Sequence, residues 1–351
     1  MKIDTLFTAT GADTRADAAN AEATGYSGIW TSETKHDPFL AVALGAVATD
    51  RVELGTGLVI AFARNPMSTA VQANDVQLLS HGRLLLGLGS QIKPHITRRF
   101  SMPWSHPAPR MREFILAMRA IWNCWNTGTK LDFQGDFYTH TLMTPFFNPG
   151  PNPYGPPEVL LAGVGEVMTT VAGEVADGFV CHGFTTERYV REVSLPALAS
   201  GRSRTGADLA GYEVSGQPLI ATATTPEGMD AAIRAVREQI AFYGSTPAYR
   251  PVLDLHGWGE LSETLHQLSR QGRWQEMGDL IDDDVLNAFA VVDEPDQVAG
   301  TLLRRFGDVM TRMTLYLPYQ SDPEIAAQIA ADVRSATSSV SDSRDERPDR
   351  P

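Results

Sequence analysis

The segment Arg51–Gln91, RVELGTGLVIAFARNPMSTAVQANDVQLLSHGRLLLGLGSQ, restricts the fold more than any other part of the chain. Val52, Leu54, Leu58, Val59 and Ile60 form an apolar run too β-rich and too short for a helix. Asn65 is a good N-cap, and Pro66 follows at the first helical position, where a missing N–H has no intrahelical partner to lose. Met67, Val71 and Leu78 recur at helical spacing, and Gly82 offers the left-handed residue that ends a helix. Leu84–Leu88 then resumes a buried strand. Two near-continuous apolar strands joined by one helix predict a parallel pair covered on both faces. Gly55 and Gly57 interrupt the first strand and Gly87 and Gly89 end the second. Glycine weakens a sheet there unless something must approach the backbone.

The same alternation runs through the chain. Strands are predicted at Lys2–Thr8, Gly28–Ser32, the two above, Glu158–Ala162, Gly178–Cys181, Tyr212–Thr222 and Arg312–Leu317. Helices are predicted between them, including Arg15–Thr24, Phe39–Thr49, Glu166–Ala176, Thr186–Leu198, Pro226–Tyr243, Pro295–Phe306 and Pro323–Arg334. Pro107–Thr127 is the most amphipathic, with Met111, Phe114, Ile115, Met118, Ile121, Trp122 and Trp125 tracing one face. Phe133–Pro157 and Arg250–Ala290 carry no sustained period and read as irregular insertions, the second with one helix at Leu261–Gln271. From residue 335 the chain is polar and apolar-poor, so a disordered tail over 335–351 is expected after a single domain over 1–334. Eight strands alternating with helices at this length predict an α/β fold, a (β/α)8 TIM barrel in preference to an open doubly wound sheet. Ligands of such a barrel bind at the carboxyl ends of its strands.

Composition narrows the partners. A net charge of −13 argues against nucleic acid or an anionic membrane, both of which require a basic face. Hydrophobic residues make up 43% and charged residues 20%, enough apolar material for a sizeable core. No apolar run approaches the roughly 18–20 residues of a membrane span, and Met1–Thr8 enters a strand pattern with no leader signal, so a cytoplasmic protein is expected. Cys124 and Cys181 fit neither a disulfide framework nor a metal spacing and read as buried small hydrophobes.

The predicted strand ends collect the chemistry. Glu33-Thr34-Lys35-His36-Asp37 follows strand two, Arg64 and Asn65 follow strand three, and Ser90, Gln91, Lys93 and His95 follow strand four. Gly163-Val164-Gly165 leads from strand five into a helix, and His182, Gly183 and Thr185 follow strand six. A glycine turn opening a helix presents free N–H groups and the positive end of the dipole, which suits a phosphate, although a tight turn with nothing bound has the same sequence. It is no dinucleotide fingerprint, since a third glycine and a following ribose-binding acid are both missing. Imidazole titrates near neutrality, so His36 is a candidate general acid or base. His36, His95 and His182 lack the HExxH or HxH spacings of metal ligands, and no GxSxG elbow points to a hydrolase. No metal is expected.

With these residues in place, the chain resembles the luciferase-like monooxygenase superfamily, and within it the branch of oxidoreductases that use the deazaflavin coenzyme F420. The likeness rests on RVELGTGLV, RNP and LLSHGRLLLGLGSQ within Gly25–Gln91, and on LLAGVG and VAGEVADGF within Pro156–Cys181. It implies a (β/α)8 barrel with F420 across the carboxyl ends of the strands, or flavin mononucleotide (FMN) in a monooxygenase served by a partner reductase. It further implies a non-prolyl cis peptide at Gly57–Leu58 beneath the cofactor ring, Gly87 and Gly89 clearing space for the ring's edge, and Ser90 and Gln91 beside it. Gly163, Val164, Gly165 and Glu166 would hold the cofactor phosphate. Hydride transfer to or from a small organic substrate is the implied reaction. His36 would transfer the proton, with Glu33 positioning it or the cofactor, and Trp30, Phe62 and Trp104 would form an apolar wall. A homodimer is a further expectation. Two departures stand out. Relatives place a histidine directly after the acidic residue of strand two, where this chain has Thr34, with His36 two residues later. The sugar-phosphate dehydrogenases of the branch carry a glutamate where this chain has Ile92, which argues against sugar phosphates. A barrel that binds the cofactor without turnover is the alternative from outside enzymology.

Overall fold

The computed structural model describes residues 1–345 of the chain. It is a (β/α)8 barrel with strands β1 (Lys2–Leu6), β2 (Gly28–Thr31), β3 (Glu53–Thr56), β4 (Leu84–Gly89), β5 (Glu158–Gly163), β6 (Gly178–Cys181), β7 (Glu213–Gly216) and β8 (Arg312–Thr314). The helices that concern the site are α1 (Thr14–Thr24), α2 (Pro38–Ala46), α3 (Pro66–Leu79), α4 (Pro107–Thr127) and α5 (Glu166–Val175). The chain divides into two compact units, one made of Thr5–Val180 and Pro196–Glu213, the other of Met1–Asp4, Cys181–Leu195 and Val214 onward.

In the first unit the strands pair in parallel. Gly28–Thr31 lies along Glu53–Thr56, and Leu54 and Gly55 lie beside Leu84 and Leu85. β3 then breaks at Gly57–Leu58 and resumes as Val59–Ile60 against Leu88 and Gly89. β4 in turn pairs with β5, from Leu85 against Glu158 to Leu88 against Leu161. Every residue of β4 is buried, as a parallel strand covered on both faces must be. Asn65 accepts the Ser68 N–H at 2.9 Å, with Pro66 at the first position of α3. Gly82, at φ 87°, closes the turn beyond that helix. α4 buries the apolar face read from its spacing. Glu113 on α4 accepts the backbone N–H groups of Asp136, Phe137 and Tyr138, fastening the insertion that follows. Within that insertion Phe133–Gln134 and Thr139–His140 form a short antiparallel pair.

The strand glycines are held by contacts inside the protein. A Cβ on Gly55 would lie 2.2 Å from the Trp30 indole, and one on Gly87 would lie 1.9 Å from the Thr56 carbonyl oxygen. The expected space for a cofactor edge at Gly87 and Gly89 is therefore taken up by Thr56 and by Leu58, whose Cδ2 would be 2.5 Å from a Cβ on Gly89. Backbone cannot swing aside as a side-chain tip can. Gly87→Ala should accordingly cost about 2–3 kcal/mol, near the upper end for overpacking, measured as a lower urea midpoint with an unchanged slope.

In the second unit β8 pairs in parallel with Lys2–Asp4 of β1 on one side and with β7 on the other. The seventh strand, expected to be continuous over Tyr212–Thr222, is two pieces: β7 and Leu219–Ala221, which pairs with Ala290–Val292. The stretch expected to be irregular between residues 250 and 290 is mainly helical, with Arg250–Leu255, Gly259–Arg270, Trp274–Gly278 and Asp283–Phe289. Gly257 and Gly272, at φ 80° and 73°, divide it into pieces too short for most of them to show a period. The last helix runs from Pro323 to Asp345, past the boundary expected at 334, and 346–351 lie outside the described residues. Among the described residues no helix is long and apolar enough to cross a membrane.

Candidate active site

The end of β2 and the loop after it are tied to the break in β3 by three hydrogen bonds. The Gly57–Leu58 bond is cis, as the resemblance implies. The Gly57 N–H donates to Thr31 O at 2.7 Å, the Ser32 hydroxyl donates to Gly57 O at 2.6 Å, and the Glu33 N–H donates to Leu58 O at 3.2 Å. The carbonyls of Gly57 and Leu58 are thus both held by residues of a single neighbouring loop.

The Glu33 carboxylate is already engaged. It accepts the Arg64 guanidinium at 2.6 Å and the Ile60 N–H at 2.8 Å. Arg64 also reaches Asp37 at 2.8 Å, and Asp37 caps α2 through the Phe39 N–H. This Glu33–Arg64–Asp37 chain joins the loop, the end of β3 and α2 into one rigid piece. Both oxygens of the Glu33 carboxylate are therefore occupied by protein donors.

His36 stands differently. Its ring is exposed and has no protein hydrogen bond among the described residues. It lines a cavity of about 870 Å³ together with Leu6, Thr8, Trp30, Ser32 and Thr34. That cavity brings His36 together with Thr34, the residue at the position of the relatives' histidine. A contact that no local sequence pattern signals joins the same loop from outside: Arg99, in the segment after β4, donates to Thr34 O at 2.5 Å. Its stretch has no period, and only its charge set it apart.

At the end of β4 the Ser90 hydroxyl donates to Gln91 O at 3.1 Å. Gln91 adopts φ 60°, and its amide oxygen accepts the Ile92 N–H at 3.0 Å. Ser90 and Gly163 each lie two positions past the last paired residues, Leu88 and Leu161, so parallel register brings both turns to one carboxyl edge. At that edge Gly165 is the N-cap of α5, and a Cβ added to it would meet nothing within 4 Å. The first N–H groups of a helix have no intrahelical acceptor, so a ten-residue helix headed by open space can take a phosphate through its backbone. Glu166, exposed in the first turn, also answers the dipole. The geometry thus fits a phosphate-bearing ring cofactor. Gly57 and Leu58 lie at the β3 end, Ser90 and Gln91 at the next, and Gly163–Glu166 at the one after. None of these eight residues lines the His36 cavity.

The expected apolar wall forms only in part. Phe62 and Trp104 meet edge to face at 5.4 Å, with the Arg110 guanidinium 4.5 Å over Phe62. Trp30 packs with Leu85, Leu160 and Val180 and lines the His36 cavity. Cys124 and Cys181 are both buried and free, and burial pushes the Cys181 thiol up to about 12. Among the described residues no group of three or more His, Cys, Asp or Glu is placed to hold a metal ion.

Residues 5–312 match the family model of luciferase-like monooxygenases. The chain belongs to the luciferase-like monooxygenase family. It is 55% identical to an uncharacterized protein of Mycobacterium tuberculosis over 85% of this chain and 88% of the relative. It is 24% identical to 5,10-methylenetetrahydromethanopterin reductase of Archaeoglobus fulgidus, over 79% and 81% of the two chains. The structure of the coenzyme F420-dependent tetrahydromethanopterin reductase from Methanopyrus kandleri superposes with a TM-score of 0.77 at 18% identity, covering 96% of this chain and 98% of that one.

One further strand end of this luciferase-like barrel bears on stability. His182 follows β6, and burial lowers its pKa to about 4. A base whose folded pKa lies below its unfolded value of about 6.5 stays neutral in the folded chain while the unfolded chain takes up a proton. Its contribution is complete above pH 6.5 and falls away as the pH drops toward 4. His182→Phe should therefore flatten the acid side of the stability curve in this window by about 2–3 kcal/mol, read from urea midpoints at pH 7 and pH 4.5.

Proposed function

We propose that the chain is an oxidoreductase that uses coenzyme F420 to pass a hydride to or from a small organic substrate. The observation that carries this reading is the likeness to an F420-family reductase along most of both chains. The open glycine turn at α5 beside the Ser90–Gln91 turn supports it. When bound, F420 supplies two-electron hydride chemistry, and the protein supplies binding, orientation and electrostatics.

In this reading the N–H groups around Gly163, Val164, Gly165 and Glu166 bind the cofactor phosphate. Ser90 and Gln91 orient the ring edge, and Gly57 and Leu58 support the ring's face. The Glu33–Arg64–Asp37 chain keeps the β2 loop in place. His36, exposed in its cavity, holds or takes the proton at the substrate oxygen.

Titration of the purified protein with F420 and, separately, with FMN tests the reading. The expected result is saturable F420 binding and F420 reduction or oxidation with a substrate from an alcohol and carbonyl panel. Tight FMN binding with oxygen-dependent turnover would overturn it in favour of a flavin monooxygenase. F420 binding with no redox change across the panel would overturn it in favour of a non-catalytic binding barrel.

A further inference from the structure

His182 lies at the carboxyl end of β6, directly after Cys181, on the side of the strands where a barrel of this kind binds its ligands. The mechanism above does not use it. Its Nδ1 accepts the Phe184 N–H at 2.9 Å, which places the ring proton on Nε2 and makes that nitrogen a donor. Nε2 has no protein partner among the described residues. The ring is walled by tyrosines: Tyr249 at 4.5 Å and Tyr243 at 4.8 Å, centroid to centroid. Tyr243 and Tyr316 share one hydrogen bond between hydroxyls 3.3 Å apart, so one of the two O–H groups remains a donor. Tyr316 is anchored by its own backbone, with Ile220 N–H on its carbonyl and its N–H on Pro218 O. Phe184 closes the group, stacked on Phe289 at 4.5 Å. His182, Tyr243, Tyr249 and Tyr316 are all half-buried, so each keeps a surface that a small molecule can touch.

We propose that His182, Tyr243, Tyr249 and Tyr316 form a small-molecule site of their own, recognising an uncharged, largely apolar molecule by hydrogen bonds to its carbonyl or hydroxyl oxygen. The aromatic faces supply area for an apolar skeleton, and the two neutral donors fix one oxygen. Charge explains the exclusion of anions. The imidazole stays neutral at physiological pH. No lysine follows Lys130 in the chain. The arginines nearest in sequence to the cluster are paired with carboxylates: Arg188 with Glu192, Arg191 with Asp308, Arg237 with Asp283, Arg250 with Asp254 and Glu263, and Arg312 with Asp4. A phosphate or carboxylate brought to His182 and the tyrosines would be desolvated while these arginines are already committed to carboxylates.

This assignment goes beyond the reading under Proposed function, and its binding is measurable without cofactor. The test is ligand-observed NMR titration of the full chain at pH 7.5 with cyclohexanone, cyclohexyl phosphate and cyclohexanecarboxylate. Cyclohexanone should bind measurably and at least tenfold more tightly than either anion. His182→Phe, which keeps a ring against Tyr249, and Tyr316→Phe should each weaken cyclohexanone by about three- to tenfold. Unchanged melting temperatures and F420 affinity separate that loss from misfolding. Equal or tighter binding of either anion, no binding of cyclohexanone, or unchanged affinity in both variants would overturn the site. Failure to bind F420 would overturn the proposed activity and leave this measurement intact.

Discussion

Replacing His36 with alanine should lower turnover by about 10²–10⁴-fold while leaving F420 affinity nearly unchanged, the effect expected when a positioned acid or base is removed. The separation of the two effects follows from the geometry. His36 fills no core space and holds no partner, because its ring is exposed and free of protein hydrogen bonds among the described residues. The residues assigned to the cofactor lie elsewhere, at the ends of β3, β4 and β5, and none of them lines the cavity that His36 does. Loss of the imidazole should therefore leave binding and folding intact and act on the proton step alone. The cavity also offers a control that a structural role would not satisfy. With about 870 Å³ beside the deleted ring, free imidazole in solution should restore part of the lost rate to the alanine variant. Thr34 lines the same cavity but carries no titratable group, so Thr34→Ala should change turnover much less. Unchanged turnover in His36→Ala would remove His36 from the mechanism. A parallel loss of F420 affinity would make it a binding residue.

Much of the barrel was legible because period and punctuation coincide in its first half. Asn65-Pro66, the apolar strand of Leu84–Leu88 and Gly82 each specify one local structure, and parallel burial makes β4 apolar throughout. The cis bond at Gly57–Leu58 came from resemblance, since no pattern of residue types encodes it. The glycines of the strands were legible as close approaches, but what approaches them was not: the Trp30 indole and the Thr56 carbonyl belong to neighbouring strands. Glu33 was legible as a site residue, whereas its commitment to Arg64 depends on a contact across 31 positions. The helices between 250 and 290 were hidden because most of them are too short to show a period. The tyrosines around His182 were hidden for a related reason. Tyr243, Tyr249 and Tyr316 come from three separate stretches of the chain, so no local pattern joins them.

Arg312→Met should destabilise the protein by about 3–5 kcal/mol, a large share of the roughly 5–15 kcal/mol that holds a domain together. Arg312 sits in β8 between Lys2 of β1 and Ser215 of β7, and its guanidinium lies 2.7 Å from the Asp4 carboxylate. Both side chains are 0% exposed. Taking two ions out of water is expensive, and their attraction offsets that penalty only while both are present. Methionine matches the arginine stem in length and apolar character, so the change leaves the packing nearly filled and isolates the charge. What remains is an Asp4 carboxylate buried without its counter-ion. The same argument requires that Arg312→Met combined with Asp4→Asn recover most of the loss, because the double variant leaves no buried charge behind. Urea unfolding of the wild type, both single variants and the double variant measures the coupling directly. A single-variant loss below about 1 kcal/mol, in the range of an exposed ion pair, would mean that water reaches the pair inside the strands.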